Sequence, residues 1–282
     1  MKTTFPARMP GIVLMLLFAL SANFSFAQDE SINDQLDELK TQLNSAISDL
    51  RDQFEEAESD EEQQQVIEDR RQLELVLVTK AVALTADNDD DDHDVQMLMW
   101  LMGKTKGEGR DLAFQTLISD HIESDKLYLL ADQLGRSRSP EVEIEHYLRQ
   151  MIEHSSADRV KGVATLSLAG LIDRITAMSD REKDAMQERL GDEWREYADS
   201  WSGERGSEEV VKLLNACVEQ YADARVRGRG TVGEKAGTQL AQMNLRVGGV
   251  APDILGEDLD GVSFSLSEYR GKVVMLDFWG DW

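Results

Sequence analysis

The side chains that could carry covalent or metal chemistry are sparse in this sequence. Cys217 is the only cysteine among 282 residues, so no disulfide can close within them. It lies in Val210-Val211-Lys212-Leu213-Leu214-Asn215-Ala216-Cys217-Val218, with Leu213, Leu214 and Cys217 at helical spacing. That setting reads as a small buried apolar residue. A reactive thiol needs exposure and a lowered pKa, and the neighbouring residues supply neither. Asp87-Asn88-Asp89-Asp90-Asp91-Asp92-His93-Asp94 concentrates acids and invites a calcium reading. It departs from the EF-hand pattern, because Asp92 stands where Gly is needed and Leu98 where the bidentate Glu is needed. A solvated acidic loop capping the next helix is the preferred reading, with weak divalent-ion binding the alternative. The four histidines, His93, His121, His146 and His154, are scattered and have no cysteine near them. His146 and His154 also miss the i, i+4 spacing that brings two imidazoles to one ion. No metal and no cofactor is expected.

The richest chemical pattern is the last stretch, residues 246–282, RVGGVAPDILGEDLDGVSFSLSEYRGKVVMLDFWGDW. Ala251-Pro252-Asp253 and Asp258-Leu259-Asp260-Gly261 supply turns. Phe264, Leu266 and Tyr269 approach an apolar run, Val273-Val274-Met275-Leu276, that passes through Asp277 into Phe278-Trp279-Gly280-Asp281-Trp282. Flanked by Gly271 and Gly280 and rich in β-branched and aromatic residues, the run predicts a strand buried on both faces.

Three words in this stretch carry a resemblance: G-x-x-A-P-D-I at 248–254, L-x-G-x-x-F-S-L-S-x-Y-R-G-K-V-V at 259–274, and D-F-W-G-D-W at 277–282. In this order they resemble the redoxin branch of the thioredoxin superfamily, the TlpA-like thiol–disulfide oxidoreductases and the alkyl hydroperoxide reductase/thiol-specific antioxidant proteins. The resemblance implies a thioredoxin-like α/β domain with strand 273–279 at the centre of its sheet. It implies a Cys-x-x-Cys pair directly after Trp282, with Trp282 beside the first cysteine and Asp277 as a buried proton-transfer acid. It also implies thiol or disulfide proteins as partners, and the tryptophan favours the oxidoreductase branch over the peroxiredoxins. Neither cysteine lies within residues 246–282. The chain as given is therefore expected to lack dithiol or peroxidase activity. With both edges of the apolar strand unpaired, roughly the last 35 residues are expected to be poorly ordered or sticky if translation ends here.

The rest of the chain must position this segment. Lys2 and Arg8 precede the apolar run Gly11-Ile12-Val13-Leu14-Met15-Leu16-Leu17-Phe18-Ala19-Leu20, and Ser25-Phe26-Ala27 offers small residues for cleavage. This is the pattern of a secretory signal peptide spanning 1–27, with an uncleaved anchor as the alternative. Export to the periplasm or cell envelope follows, with no stable membrane span after cleavage. The formal charge of −25 excludes nucleic acid and anionic lipid as natural partners, since both need clustered Lys and Arg.

Residues 28–245 read as an α-helical domain. Ile32, Leu36, Leu39, Leu43, Ile47, Leu50 and Phe54 recur every three or four residues, predicting one helix over 29–58. A second helix is expected over 60–86, a short apolar one at 95–102, and a pair at 110–121 and 124–134. Ser139-Pro140-Glu141 reads as N-cap, first helical residue and first-turn acid of a helix to 153. Helices at 156–178 and 179–201 follow, then one opened by Ser207. Arg225-Val226-Arg227-Gly228-Arg229-Gly230 is the single basic cluster, read as a solvated linker with an acidic-partner patch as the alternative. Thr231-Val232-Gly233-Glu234 is a capping-box pattern for a short helix to 245. The expected fold is a mainly α N-terminal domain of helical hairpins, followed by the first part of a thioredoxin-like α/β domain at 246–282. The functional expectation is an exported redoxin-family protein. The alternative is a helical protein-interaction module with a vestigial redoxin start.

Overall fold

The computed structural model describes residues 31–137, 139–243, 251, 253–257 and 260–277. The signal-peptide pattern at 1–27 and Trp282 lie outside the described residues.

Helix α1 (Ile32–Glu56) buries Leu36, Leu39, Leu43, Ala46 and Leu50, the stripe its periodicity predicts. Ser31 caps it by accepting from the Asp34 amide at 3.2 Å. A short connection leads to α2 (Asp60–Thr85), capped by Ser59, and the two form a helical hairpin. Helices α3 (Asp91–Lys104) and α4 (Gly107–Asp120) form the next pair, with α4 laid against α2.

Helices α5 (Leu127–Gly135) and α6 (Val142–His154) both pack on α7 (Asp158–Ala177), the centre of the second half. Its buried residues, Val160, Val163, Ala164, Leu168, Leu171, Ile172 and Ile175 among them, point to several sides of the helix. From Val160 to Ile172 no residue is exposed, as expected of a helix inside a bundle, and α10 (Glu204–Gln220) covers the side that α5 and α6 leave. Helices α8 (Asp180–Leu190) and α9 (Asp192–Ser200) form a small hairpin, and α11 (Val232–Met243) packs on α10.

Several helix boundaries differ from the sequence expectation: the helix expected to be opened by Ser207 begins at Glu204 with Gly203 before it, and the one expected over 95–102 runs Asp91–Lys104. Helix α6 begins at Val142 with Glu141 as N-cap, not at Pro140 with Ser139 as cap. The Pro140 carbonyl instead accepts from the Trp194 indole N–H at 2.6 Å, which ties the preceding chain to α9 in a non-helical path. The single helix expected over 179–201 is broken at Gly191, whose φ of 90° is a left-handed conformation open to glycine and costly for other residues. The capping boxes at Ser179 and Thr231 are formed: each side chain accepts from the Glu amide three residues on, and that Glu accepts from the cap amide.

Beyond α11, strands β1 (Leu255–Glu257) and β2 (Ser263–Ser265) pair antiparallel, with Gly256 opposite Phe264. Gly261, φ 76°, turns the chain between them. A 3-10 turn over Leu266–Tyr269 follows β2. The strand expected from residue 273 is not formed. Residues 273–277 have no regular structure, and Val273 and Met275 are 105 % and 93 % exposed. Among the described residues no strand pairs with this run, so its backbone has no ladder and its apolar side chains have no covering layer.

Candidate functional site

The C-terminal hairpin is fastened by its own side chains. The Asp253 carboxylate accepts from the Ser267 amide and from the Ser267 hydroxyl, both at 2.7 Å. These bonds hold the Asp253 carboxyl below its ordinary value of 3.8. The Leu266 amide donates to the Ile254 carbonyl at 3.0 Å, extending the ladder beyond β2. The Phe264 ring lies over Gly256, where a Cβ would stand 3.1 Å from its tip. Asp253, Phe264, Leu266 and Ser267 therefore act together, and all four fall in the sequence words singled out above. Asp277 is exposed and outside any strand, so the buried setting implied for a proton-transfer acid is not formed around it here.

Cys217 sits on α10 with no exposed surface. Its Sγ is 4.0 Å from the Gly162 carbonyl of α7. Burial pushes the thiol up to about 12 from its ordinary 9.0, which suppresses the thiolate that both nucleophilic attack and disulfide exchange require. The sequence reading of a core cysteine agrees with this placement.

The acidic run is more organised than a solvated loop. Asp90 caps α3 by accepting from the His93 amide at 3.1 Å and accepts from the Asn33 amide group at 3.1 Å. The Asn88 side chain donates to Asn33 and Asp94 at 2.9 and 2.7 Å. Asp91 meets His121 Nδ1 at 2.5 Å, and Asp92 pairs with Lys126 at 2.7 Å. Burial raises the Asp94 carboxyl above its ordinary value. The run thus joins α1, α3 and the start of α5. His93 lies 3.6 Å from Asp37, while His146 and His154 are exposed. Among the described residues no group of three or more His, Cys, Asp or Glu side chains is arranged to hold a metal ion.

A polar cleft of about 840 Å³ opens where α4, α6 and the α8–α9 hairpin meet. Arg110 forms an ion pair with Glu141, and the buried Tyr147 donates its hydroxyl to Asp111. Burial and that carboxylate together hold the Tyr147 hydroxyl well above the ordinary phenol range. Nearby, Glu145 accepts from the Tyr197 hydroxyl at 2.9 Å, the Trp201 indole at 3.0 Å and Arg149 at 2.7 Å. Apart from the Arg149–Glu145 pair, which is four positions apart, these contacts join residues 31 to 56 positions apart, a separation that no local sequence pattern reports.

The described chain is thus a helical domain followed by a small hairpin segment, and part of it is similar to thiol–disulfide oxidoreductases of thioredoxin-like kind. The thiol–disulfide oxidoreductase ResA of Geobacillus thermodenitrificans (strain NG80-2) is 53 % identical over 36 residues, which cover 13 % of this chain and 21 % of that protein. ResA of Geobacillus kaustophilus (strain HTA426) is 56 % identical over 36 residues with the same coverage. The chain spans about a fifth of the length of these curated relatives. No family model matches it, and no solved structure matches it. Among the described residues no helix is long and apolar enough to cross a membrane.

Proposed function

We propose that this chain is the N-terminal part of an exported thiol–disulfide oxidoreductase. In this reading residues 1–27 are a signal peptide, 28–245 an α-helical domain, and 246–282 the opening of a thioredoxin-like domain. The observation that carries it is the 36-residue similarity to the two ResA proteins. In this reading the matched stretch is the C-terminal segment, whose words stand in redoxin order.

The chemistry is attack of a thiolate on a substrate disulfide, which releases one substrate thiol and forms a mixed disulfide. A second thiol then attacks that bond, freeing the other substrate thiol and leaving the enzyme pair oxidised. Cys217 supplies neither thiol, being buried, protonated and alone. The reacting pair is assigned to the residues following Trp282, at a helix N-terminus whose dipole lowers the first thiol's pKa. Asp277 would then be enclosed by the completed sheet and move the proton of the second thiol. Thiol or disulfide proteins of the periplasm or cell envelope are the partners in this reading.

The groove between α10 and α11 favours a second reading, a helical interaction module. Its volume is about 780 Å³, and Val211 and Met243 line it. Val211 is exposed to solvent, and α11 precedes the redoxin-like segment in the sequence.

Reduction of insulin by the natural protein separates the two readings. The oxidoreductase reading expects turnover with a dithiol donor that Cys217→Ala leaves unchanged. Absence of turnover in a natural protein that carries no further cysteine would leave the interaction module.

A further inference from the structure

We infer that the basic turn after α10 completes a binding site for a small dianion with a flat apolar body, such as an aryl phosphate or an aryl dicarboxylate. The turn is built rather than loose. Arg225 bridges to Thr231, the Val226 amide donates to the Gly230 carbonyl at 3.4 Å, and the Val232 amide donates to the Ala224 carbonyl at 2.8 Å. Gly228 and Gly230 take φ values of 91° and 94°, a conformation that favours glycine. Arg159 of α7 donates to the Arg225 carbonyl at 3.0 Å, and the Val226 side chain is buried. Arg227 is thereby presented to a groove of about 550 Å³, which Lys40 of α1, Trp100 and Lys104 of α3 and Gln133 of α5 also line. That volume is in the range of small-molecule sites.

The charge of this groove is opposite to that of the chain. Three cations line it and no carboxylate does among the described residues, in a sequence of net charge −25. The side chains of Lys104 and Arg227 have no ion pair or hydrogen bond with any described residue, and Lys40 shares its charge with Asp37 at 3.1 Å. At physiological salt, screening over about 8 Å leaves the local cations to dominate over distant acids. Two unshared cations match two anionic charges, and the Arg227 fork suits the paired oxygens of a carboxylate or phosphate. Trp100, half-buried, offers a flat apolar wall, and its indole N–H donates to no described residue. Gln133 adds an amide at the rim, next to Gly103.

Titration calorimetry at physiological ionic strength, where the distant acids are screened, tests this with phenyl phosphate and inorganic phosphate as probes. Phenyl phosphate should bind with a dissociation constant below about 1 mM, and inorganic phosphate at least about tenfold more weakly, since it lacks the ring that Trp100 would cover. The exposed pair Lys104→Gln with Arg227→Gln should weaken phenyl phosphate by at least about tenfold, because it removes both charge-assisted contacts. The charge-matched pair Arg51→Gln with Lys212→Gln should not. Helical circular dichroism and melting temperature, unchanged in both pairs, report that the fold is kept. Absence of heat with phenyl phosphate at millimolar concentration, or equal binding in both charge-matched variants, overturns the site. Equal affinity for the two probes overturns the assignment of an aryl ligand.

Discussion

Replacing Cys217 by Ala should change stability by an amount whose sign depends on pH. The Cys217 side chain is wholly buried against α7, so its removal leaves a small void and costs about 1 kcal/mol near neutrality. The native thiol titrates at about 12 and an ordinary one at 9.0. A buried acid with a raised pKa contributes its full stability below the unfolded value and loses it as pH climbs toward the folded value. At about pH 10.5 the unfolded thiol is ionised and the native thiol is not, which favours unfolding by about 2 kcal/mol. Tyr147 and Tyr197, also held high by burial, act equally in both proteins and cancel in the comparison. Urea denaturation followed by circular dichroism should therefore find Cys217→Ala less stable than the parent near pH 7 and more stable near pH 10.5. Thiol labelling of the native parent should be at least about a thousandfold slower than of the unfolded chain, the ratio of thiolate fractions. A pH-independent stability difference, or native labelling as fast as unfolded labelling at neutral pH, would contradict a buried, protonated Cys217.

Glu145→Ala should destabilise the helical domain by about 2–4 kcal/mol in chemical denaturation, because it leaves the Tyr197 hydroxyl and Trp201 indole without their shared acceptor. Gly206→Ala should cost about 2–4 kcal/mol in the same assay, since its Cβ would overlap Thr176 of α7 and the Trp201 carbonyl. The Asp253–Ser267 contacts should persist above the ordinary carboxyl value of 3.8 and be lost as pH falls through the lowered native value. The Ser267 amide resonance should follow that titration and shift at neutral pH in Asp253→Asn. Calcium titration should give no heat above dilution at millimolar concentration, because Asp90, Asp94, Asp91 and Asp92 are engaged with Asn33, Asn88, His121 and Lys126 respectively.

The helical domain was legible because its signals are local. The stripe of α1, the Ser179 and Thr231 capping boxes and the apolar surroundings of Cys217 each reside within a turn or two of helix. The start of α6 was missed because Ser139-Pro140 has the composition of a cap, while the Trp194 indole, 54 positions away, holds the Pro140 carbonyl. The break at Gly191 had a visible marker in the glycine itself, but its φ is fixed by the packing of the α8–α9 hairpin. The polar cleft left no trace in the sequence, since Arg110, Glu141, Asp111 and Tyr147 meet only when α4 and α6 pack. The hairpin in the C-terminal words formed where its turn and its Asp253–Ser267 bonds are local. The apolar run at 273–276 needs neighbouring strands, and among the described residues none pairs with it.

In the oxidoreductase reading the reacting thiols belong to a dithiol after Trp282 and not to Cys217. Intact mass of the natural protein before and after alkylation under denaturing conditions, with and without prior reduction, counts its cysteines and its disulfides directly. At least two thiols besides Cys217 should become alkylatable only after reduction, while Cys217 alkylates in both states. A natural protein whose mass corresponds to this chain and which takes up a single alkyl group would contradict it.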